Sequence, residues 1–106
     1  MSRKRLDEAA IADGIARLNL GLDPAESWQR DADGLSIARS FRFDSFAEAF
    51  AFMTRSALVA EKLDHHPDWS NSYRTVSVRL TTHSAQGLTA LDLALAEAMN
   101  AAARRP

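Results

Sequence analysis

The most constraining feature of this sequence is the point where a long helical pattern meets His65-His66-Pro67. Ser45-Phe-Ala-Glu48 has the spacing of a capping box, so it predicts the start of that helix. Proline at position 67 disfavours the α-helical conformation of His66, and the chain must therefore continue in an extended direction. The sequence thus predicts a helix from Ser45 to about Leu63, followed by a stiff junction that carries two adjacent imidazole rings.

The inner face of this helix is predicted from apolar side chains at helical spacing. The stripe and the two small residues beside it are Phe46, Phe50, Met53 and Ala57, flanked by Ala49 and Ala60. Aromatic stripes at this spacing are typical of a hydrophobic core, so we expect these side chains to be buried.

Two further helices are predicted near the ends of the chain. Residues 7–19 carry apolar side chains at helical spacing, and Pro24 lies beyond the end of that pattern. Thr89-Ala-Leu-Asp92 has a second capping-box spacing, with Asp in place of Glu, and predicts the start of a last, apolar helix. The segment from Ala101 to Pro106 is expected to fray.

The segments between the helices are predicted to be strands. Trp28–Arg30 and Leu35–Phe43 are joined by Asp33-Gly34, a dipeptide typical of hairpin turns. In the second segment, alternate side chains from Leu35 onward are mostly apolar and should face the core, where Arg39 fits poorly. Residues 76–80 alternate between apolar and polar side chains and predict a strand that is buried on one face.

Within one subunit, the three histidines act together only if the chain folds back between them, and assembly of subunits is the alternative. His66 and His83 are 17 positions apart, and a straight strand of that length would separate them by roughly 55 Å. The polar stretch Ser70–Arg74 is the natural place for a turn, which would bring His83 close to the end of the second helix. The predicted fold is then an α+β domain in the order α-β-β-α-β-β-α, with a four-stranded antiparallel sheet and helices packed on one face.

Composition narrows the class of protein. The chain has 106 residues, the length of one ordinary domain, so residues 1–106 are expected to form a single domain. It has no cysteine and a net charge of -1, so we expect no disulfide or thiolate chemistry and no general attraction to nucleic acid or membrane. No apolar run approaches the ~20 residues that span a bilayer, and the expected location is the cytoplasm. The basic start Arg3-Lys4-Arg5 is expected to be a solvated tail.

Residue types alone leave three interpretations of the histidines open. Three imidazoles and a carboxylate would satisfy zinc, but adjacent residues in an extended segment point to opposite faces, which disfavours a metal site. Metal-free acid–base catalysis needs groups that exchange protons near neutral pH, as imidazoles do. The third interpretation is structural, with His65-His66-Pro67 as a helix stop, Trp69 and Tyr73 as sheet residues and Asp92 as a helix cap.

The spacing of these residues resembles the signature of the pterin-4a-carbinolamine dehydratase family. The matching positions are Glu61-x3-His65-His66-Pro67, Tyr73, His83 and Asp92. Longer matching words surround them: Phe52-Met-Thr-Arg55, the stretch from Ala60 to Trp69, and Leu80-Thr-Thr-His83 followed by Gly87-Leu88-Thr89. The resemblance extends from about Trp28 to Met99. The sequence departs from the family pattern in a longer loop from Asn19 to Ser27 and at Ser84-Ala85-Gln86.

This resemblance implies the fold predicted above and the activity of a hydro-lyase. The implied reaction is the dehydration of 4a-hydroxytetrahydrobiopterin to quinonoid dihydropterin and water by histidine acid–base catalysis. Such a reaction recycles the pterin cofactor of aromatic amino acid hydroxylases. No metal or organic cofactor is implied. The implied partners are the pterin substrate and further copies of the chain in a homodimer or homotetramer, for which the apolar last helix is a candidate interface.

The resemblance also implies roles for individual residues. His65 and His83 are candidate acids for the 4a-hydroxyl group, and His66 is expected to bind the pterin and assist proton removal. The other positions expected to border the pocket are Asp64, Pro67, Trp69, Thr81, Thr82 and Ser84. Glu61 and Asp92 are expected to support the imidazoles. The alternative function is non-catalytic, either pterin binding or service as a dimerisation cofactor for a transcription factor.

Overall fold

The computed structural model describes residues 1–104 and has an α+β fold. Its helices and strands are, in chain order, α1 (Glu8–Leu18), β1 (Gln29–Arg30), β2 (Ile37–Arg42), α2 (Phe46–Leu63), β3 (Asp68–Ser72), β4 (Thr75–Leu80) and α3 (Ala90–Ala103). This is the predicted order. The segment expected to fray is helical through Ala103, and positions 105 and 106 lie outside the described residues. Among residues 1–104, no helix is both long and apolar enough to cross a bilayer.

The four strands form one antiparallel sheet in the order β1-β2-β4-β3. β2 and β4 are the central pair, with Ile37 opposite Leu80. β3 and β4 form a hairpin in which Ser72 pairs with Thr75, and Tyr73 in the turn has the left-handed φ of 51°. The predicted fold-back of the chain between His66 and His83 is therefore confirmed.

The core lies between one face of this sheet and the helices. The strand side chains that are buried there are Ile37, Phe41, Val76, Val78 and Leu80. The ring centroids of Phe41 and Phe52 are 4.6 Å apart, which joins β2 to α2. The prediction that Leu35 belongs to this face is wrong, since it is 41% exposed and lies before β2 begins.

The buried face of α2 agrees only in part with the predicted one, because Ala49 and Ala60 are buried as expected but the aromatic residues of the stripe are not. Phe46 and Phe50 are 48% and 56% exposed, so their assignment to the core is wrong. The buried residues of α2 are Ala49, Phe52, Ser56 and Ala60. Two apolar stripes run along this helix, and the inward one consists mostly of small residues. Small side chains let α2 approach α3 and β4 closely, which explains the choice of face.

Candidate active site

The two histidines that follow the end of α2 lie in different environments. Asp64 closes the helix with a left-handed φ of 51°, the conformation in which many helices terminate. The backbone N–H of His65 then donates to the carbonyl of Ala60 at 3.0 Å. His65 is buried after this reversal, and His66 is exposed. The sequence argument that adjacent imidazoles face opposite sides is confirmed at this junction.

His65 contacts Asp92 at the start of α3. Its Nε2 lies 2.6 Å from Asp92 Oδ1, and Asp92 is fully buried. The other carboxylate oxygen accepts hydrogen bonds from the hydroxyl of Thr82 at 2.8 Å and the backbone N–H of Thr89 at 2.9 Å. Because an ionised carboxylate only accepts hydrogen bonds, Nε2 of His65 must carry the proton. Nδ1 is then the ring nitrogen left for a ligand.

His66 contacts Glu61 on the exposed side of the same junction. Its Nε2 is 2.7 Å from Glu61 Oε1, and the two side chains are 55% and 77% exposed. The sequence analysis predicts that Glu61 supports an imidazole. Because α2 ends before His65, it is His66 that lies against the carboxylate of Glu61.

His83 enters the site from the end of β4. It is the first residue of a short 3₁₀ turn, His83–Ala85, and it is exposed. Thr82, directly before it, is the residue that donates its hydroxyl to Asp92. The segments that carry His65 and His83 therefore meet at one carboxylate. Within residues 1–104, the imidazole of His83 makes no hydrogen bond.

The other positions that the sequence predicted fall into two groups. Asp64 and Ser84 are exposed beside the histidines. By contrast, Thr81 donates its hydroxyl to the carbonyl of Leu35 at 2.6 Å, and half-buried Trp69 packs against the core. The structure thus uses Thr81 and Trp69 in holding the sheet and core together. Pro67 is half-buried between α2 and β3, and buried Thr82 belongs to the Asp92 network.

Two arginines that the sequence reasoning missed connect the histidine segments. Arg3 Nη2 donates to the carbonyl of Asp64 at 2.6 Å, and Arg5 Nη1 donates to the carbonyl of Gln86 at 3.4 Å. Both acceptors are left-handed residues, with φ of 51° and 54°, next to a histidine segment. The expectation of a solvated tail is therefore wrong for Arg3 and Arg5. The sequence indicates this role only weakly, through two arginines at alternate positions.

The described cavities lie away from the histidines. Five cavities of about 100 to 560 Å³ are formed by the described residues, and no histidine lines any of them. Within residues 1–104, no cluster of three or more His, Asp or Glu side chains is arranged to hold a metal ion. His66 and His83, the two exposed histidines of the candidate site, are accessible to solvent.

Comparison with known proteins points to one family. The model of the family described as pterin 4 alpha carbinolamine dehydratase matches residues 4–102. A Mesorhizobium japonicum protein is 56% identical over 100 residues, covering 94% of this chain and 95% of its own length. A Chelativorans sp. protein is 50% identical over 105 residues, covering 99% of this chain and all of its own length. Both relatives carry the name pterin-4-alpha-carbinolamine dehydratase as a provisional one.

Solved structures share the same fold. The crystal structure of a transcriptional coactivator/pterin dehydratase from Brucella melitensis has a TM-score of 0.84 and 44% identity, and the match covers 94% of this chain and 99% of that one. A pterin dehydratase-like protein, identified as a RuBisCO assembly factor in the alpha-carboxysome, has a TM-score of 0.65. The second match has 23% identity and covers 76% of this chain and 93% of that one, so it shows a similar fold alone.

Proposed function

Because this chain belongs to the pterin 4 alpha carbinolamine dehydratase family, we propose that it is a hydro-lyase that converts 4a-hydroxytetrahydrobiopterin to quinonoid dihydropterin and water. One observation carries the proposal. The carboxylate of Asp92 accepts hydrogen bonds from His65 and from Thr82, which precedes His83. Segments 17 residues apart, counted from residue 65 to residue 82, are thereby held together at one carboxylate.

The dehydration needs two proton transfers. A general acid protonates the 4a-hydroxyl as the C4a–O bond breaks, and water leaves. A base removes the proton from N5, whose electrons complete the new bond between C4a and N5. We assign His65 and His83 as acids for the hydroxyl group and His66 to pterin binding and proton removal. His65 acts as an imidazolium, which gives its Nδ1 proton to the hydroxyl and keeps its Nε2 proton on Asp92. Positioned groups of this kind contribute about 10²–10⁴-fold in rate, which suits a reaction that already proceeds without a catalyst.

The two carboxylates give the imidazoles different tasks. Asp92 is buried and fixes both the tautomer and the ring direction of His65, so that Nδ1 is presented in one geometry. Glu61 and His66 are exposed, and their contact leaves the ring in exchange with water. A proton taken from the pterin by His66 can therefore pass directly to solvent, while the buried His65 keeps a fixed position for the leaving group.

The test is dehydration of chemically prepared 4a-hydroxytetrahydropterin, followed by stopped-flow absorbance. We expect the wild type to accelerate the reaction and His65→Ala and His83→Ala to lose most of that acceleration. Circular dichroism of each variant establishes that it is folded, which matters most for buried His65. If the wild type and both folded variants give the same rate, the enzyme proposal is wrong. Binding of a tetrahydropterin by all three would then favour the non-catalytic role.

A partner-binding role is the second candidate. The observation that favours it is the exposed apolar side of α2, where Phe46 and Phe50 contact each other with ring centroids 5.8 Å apart. The Brucella structure is described as both a coactivator and a dehydratase, so the two roles are compatible in one fold. A Phe50→Glu variant that keeps full dehydration activity would show that this surface is separate from the site of dehydration.

A further inference from the structure

A buried arginine near the far end of α3 has no part in the proposed reaction. Arg39 points from β2 toward the helices and is only 9% exposed. Its Nη1 donates to Asn100 Oδ1 at 2.6 Å, and the guanidinium carbon lies 4.0 Å from the centroid of the Phe41 ring. Its Nε is buried and has no hydrogen-bond partner within residues 1–104. Arg39 is therefore held at a position that leaves one of its donors unused.

The charge of Arg39 is only partly offset. No Asp or Glu among the described residues forms an ion pair with it. Burial lowers the pKa of its guanidinium, and the charge of Glu26 raises this pKa only in part, but an arginine side chain remains protonated in proteins. A buried charge without an ion-pair partner is costly, so the site favours an anion that can enter.

A cavity of about 100 Å³ adjoins this guanidinium. Its charged lining consists of three arginines and one glutamate: Arg39, Arg42, Arg104 and Glu26. Arg39 is buried in the interior, together with Asn100 and Phe41, whereas the other charged residues are exposed. The lining thus has a formal net charge of +2. The cavity extends from the buried side chain of Arg39 to an opening that solvent can reach.

We propose that this cavity binds the phosphate group of a free phosphate ion or of a phosphate monoester. A water molecule occupies roughly 30 Å³ in the liquid, so the cavity has room for about three waters or one compact tetrahedral oxyanion, but not for a pterin ring. Guanidinium groups bind phosphate through short, charge-assisted hydrogen bonds, and three of them line this cavity. Glu26 repels the anion and limits its affinity.

This site is separate from the candidate active site. Asn100 lies eight residues after Asp92 on α3, a distance of about 12 Å along a helix. Its side chain also accepts from Trp28 Nε1 at 2.8 Å and donates to the carbonyl of Leu18 at 2.9 Å. Asn100 is therefore fixed by three separate parts of the chain, so the Arg39 side of the cavity is rigid before any anion binds. Bound phosphate stabilises the fold without touching the histidines.

The experiment measures phosphate binding by calorimetry and by thermal unfolding at constant ionic strength, with sodium chloride as the reference. Inorganic phosphate and glycerol 3-phosphate are the two probes. We expect saturable binding and a Tm that rises with phosphate concentration, because a ligand of the folded state alone stabilises it. Tighter binding of inorganic phosphate identifies the free ion as the ligand, and tighter binding of glycerol 3-phosphate identifies a monoester.

Three variants test whether phosphate binding depends on the charged residues that line the cavity. Arg39→Met replaces the buried charge with an apolar side chain, a change that proteins often accept, and should weaken phosphate binding at least tenfold. Glu26→Gln should strengthen binding. Lys62→Gln removes an exposed positive charge that does not line the cavity, and should bind phosphate as the wild type does. If Arg39→Met does not fold, the exposed Arg42→Gln and Arg104→Gln are expected to weaken binding several-fold.

Two results would overturn the proposal. The first is a stabilisation by phosphate that never saturates and is equal in the wild type and Arg39→Met, since excluded salts stabilise any folded protein in this way. The second is the absence of saturable phosphate binding to the wild type in the calorimetric titration.

Discussion

Asp92 shows how one residue serves both the fold and the chemistry. Oδ2 accepts from the N–H of Thr89 and so caps α3, and it also accepts from the hydroxyl of Thr82. Oδ1 faces His65. A carboxylate can be buried fully only when hydrogen bonds replace its lost water, and these three partners do so. The helix-cap interpretation and the site interpretation of Asp92 are therefore compatible.

We expect Asp92→Asn to reduce both stability and dehydration activity. The amide has one acceptor where the carboxylate has two, so at least one buried donor loses its partner, at a cost of about 1–3 kcal/mol. His65 also loses the group that fixes its tautomer, and kcat should fall about tenfold or more. Urea unfolding and stopped-flow kinetics measure the two effects, with exposed Asp44→Asn as the control. An unchanged kcat in the destabilised variant would show that Asp92 acts in folding alone.

Asp31 makes stability depend on acid pH. Hydrogen bonds from Ser36 and from Arg79, whose Nε lies 2.8 Å from Asp31 Oδ2, hold the pKa of this carboxyl below its usual value. The folded protein therefore binds the proton more weakly than the unfolded chain does. The stabilisation is fully present above the unfolded pKa of about 3.9 and is lost as the pH falls through the lower folded pKa.

Asp31→Asn should accordingly destabilise the protein at neutral pH and much less in acid. Because the side chain is 34% exposed, solvent screens the interaction, and we expect a loss below about 1 kcal/mol at pH 7. Urea unfolding of both proteins at pH 7 and near pH 2 measures the difference. A difference in unfolding free energy that stays the same at both pH values would contradict this assignment.

At the scale of elements, the N-terminal segment before α1 acts as a connection between the two histidine segments. Its arginines donate to carbonyls 61 and 81 positions away in the sequence, at Asp64 and Gln86. Leu6 continues the connection with a backbone hydrogen bond to Leu88 at 2.9 Å. Arg3 also places a positive charge at the C-terminal end of α2, where the helix dipole favours it. The segment therefore limits how far the end of α2 can move from the 3₁₀ turn at His83.

We expect the double variant Arg3→Gln, Arg5→Gln to lower kcat several-fold with little change in the circular dichroism spectrum. The reason is geometric, since small displacements of catalytic groups carry large rate penalties. Lys4→Gln is the control: it removes one positive charge from the same segment, and no hydrogen bond of the Lys4 side chain is present within residues 1–104. Arg3→Lys should restore part of the rate. Equal rates for the double variant and Lys4→Gln would contradict a positioning role.

The sequence predicted those features of the helices and strands that neighbouring residues determine, and it did not predict those that depend on distant residues. Ser45 and Pro67 act on their immediate neighbours, and α2 has the predicted bounds to within one residue. The buried face of α2 was not predictable, because both stripes are apolar and the choice depends on which one fits α3. The contact of Glu61 with His66 follows from the left-handed turn at Asp64. The sequence did not predict this turn, because the residue there is not glycine. Arg3 and Arg5 form hydrogen bonds to residues far away in the sequence, and residue spacing does not predict such contacts.

For the molecule as a whole, the sequence predicted the topology and the convergence of the histidine segments, and both are confirmed in the structure. The fold-back deduced from the 17-residue separation is the β3–β4 hairpin. The surface available for an interface between copies of the chain differs from the one proposed on the last helix. The last helix has its apolar residues Leu91, Leu95 and Met99 in the core, so they are not available to a second copy. Among the exposed large apolar side chains, Phe46, Phe50 and Leu58 lie together on α2.

We therefore expect the chain to form a homodimer or homotetramer through α2. Phe46, Phe50 and Leu58 are 48%, 56% and 68% exposed, and burial of such side chains contributes roughly 25 cal/mol per Å² of apolar surface. Light scattering coupled to size exclusion should give a multiple of the monomer mass, and Phe50→Glu should shift it to the monomer because a carboxylate cannot be buried unpaired. Tyr73→Glu, 65% exposed at the β3–β4 turn, makes the same kind of change away from α2 and should keep the assembly. A wild-type chain that stays monomeric at high concentration would rule out this interface, and a mass that drops equally in both variants would place it elsewhere.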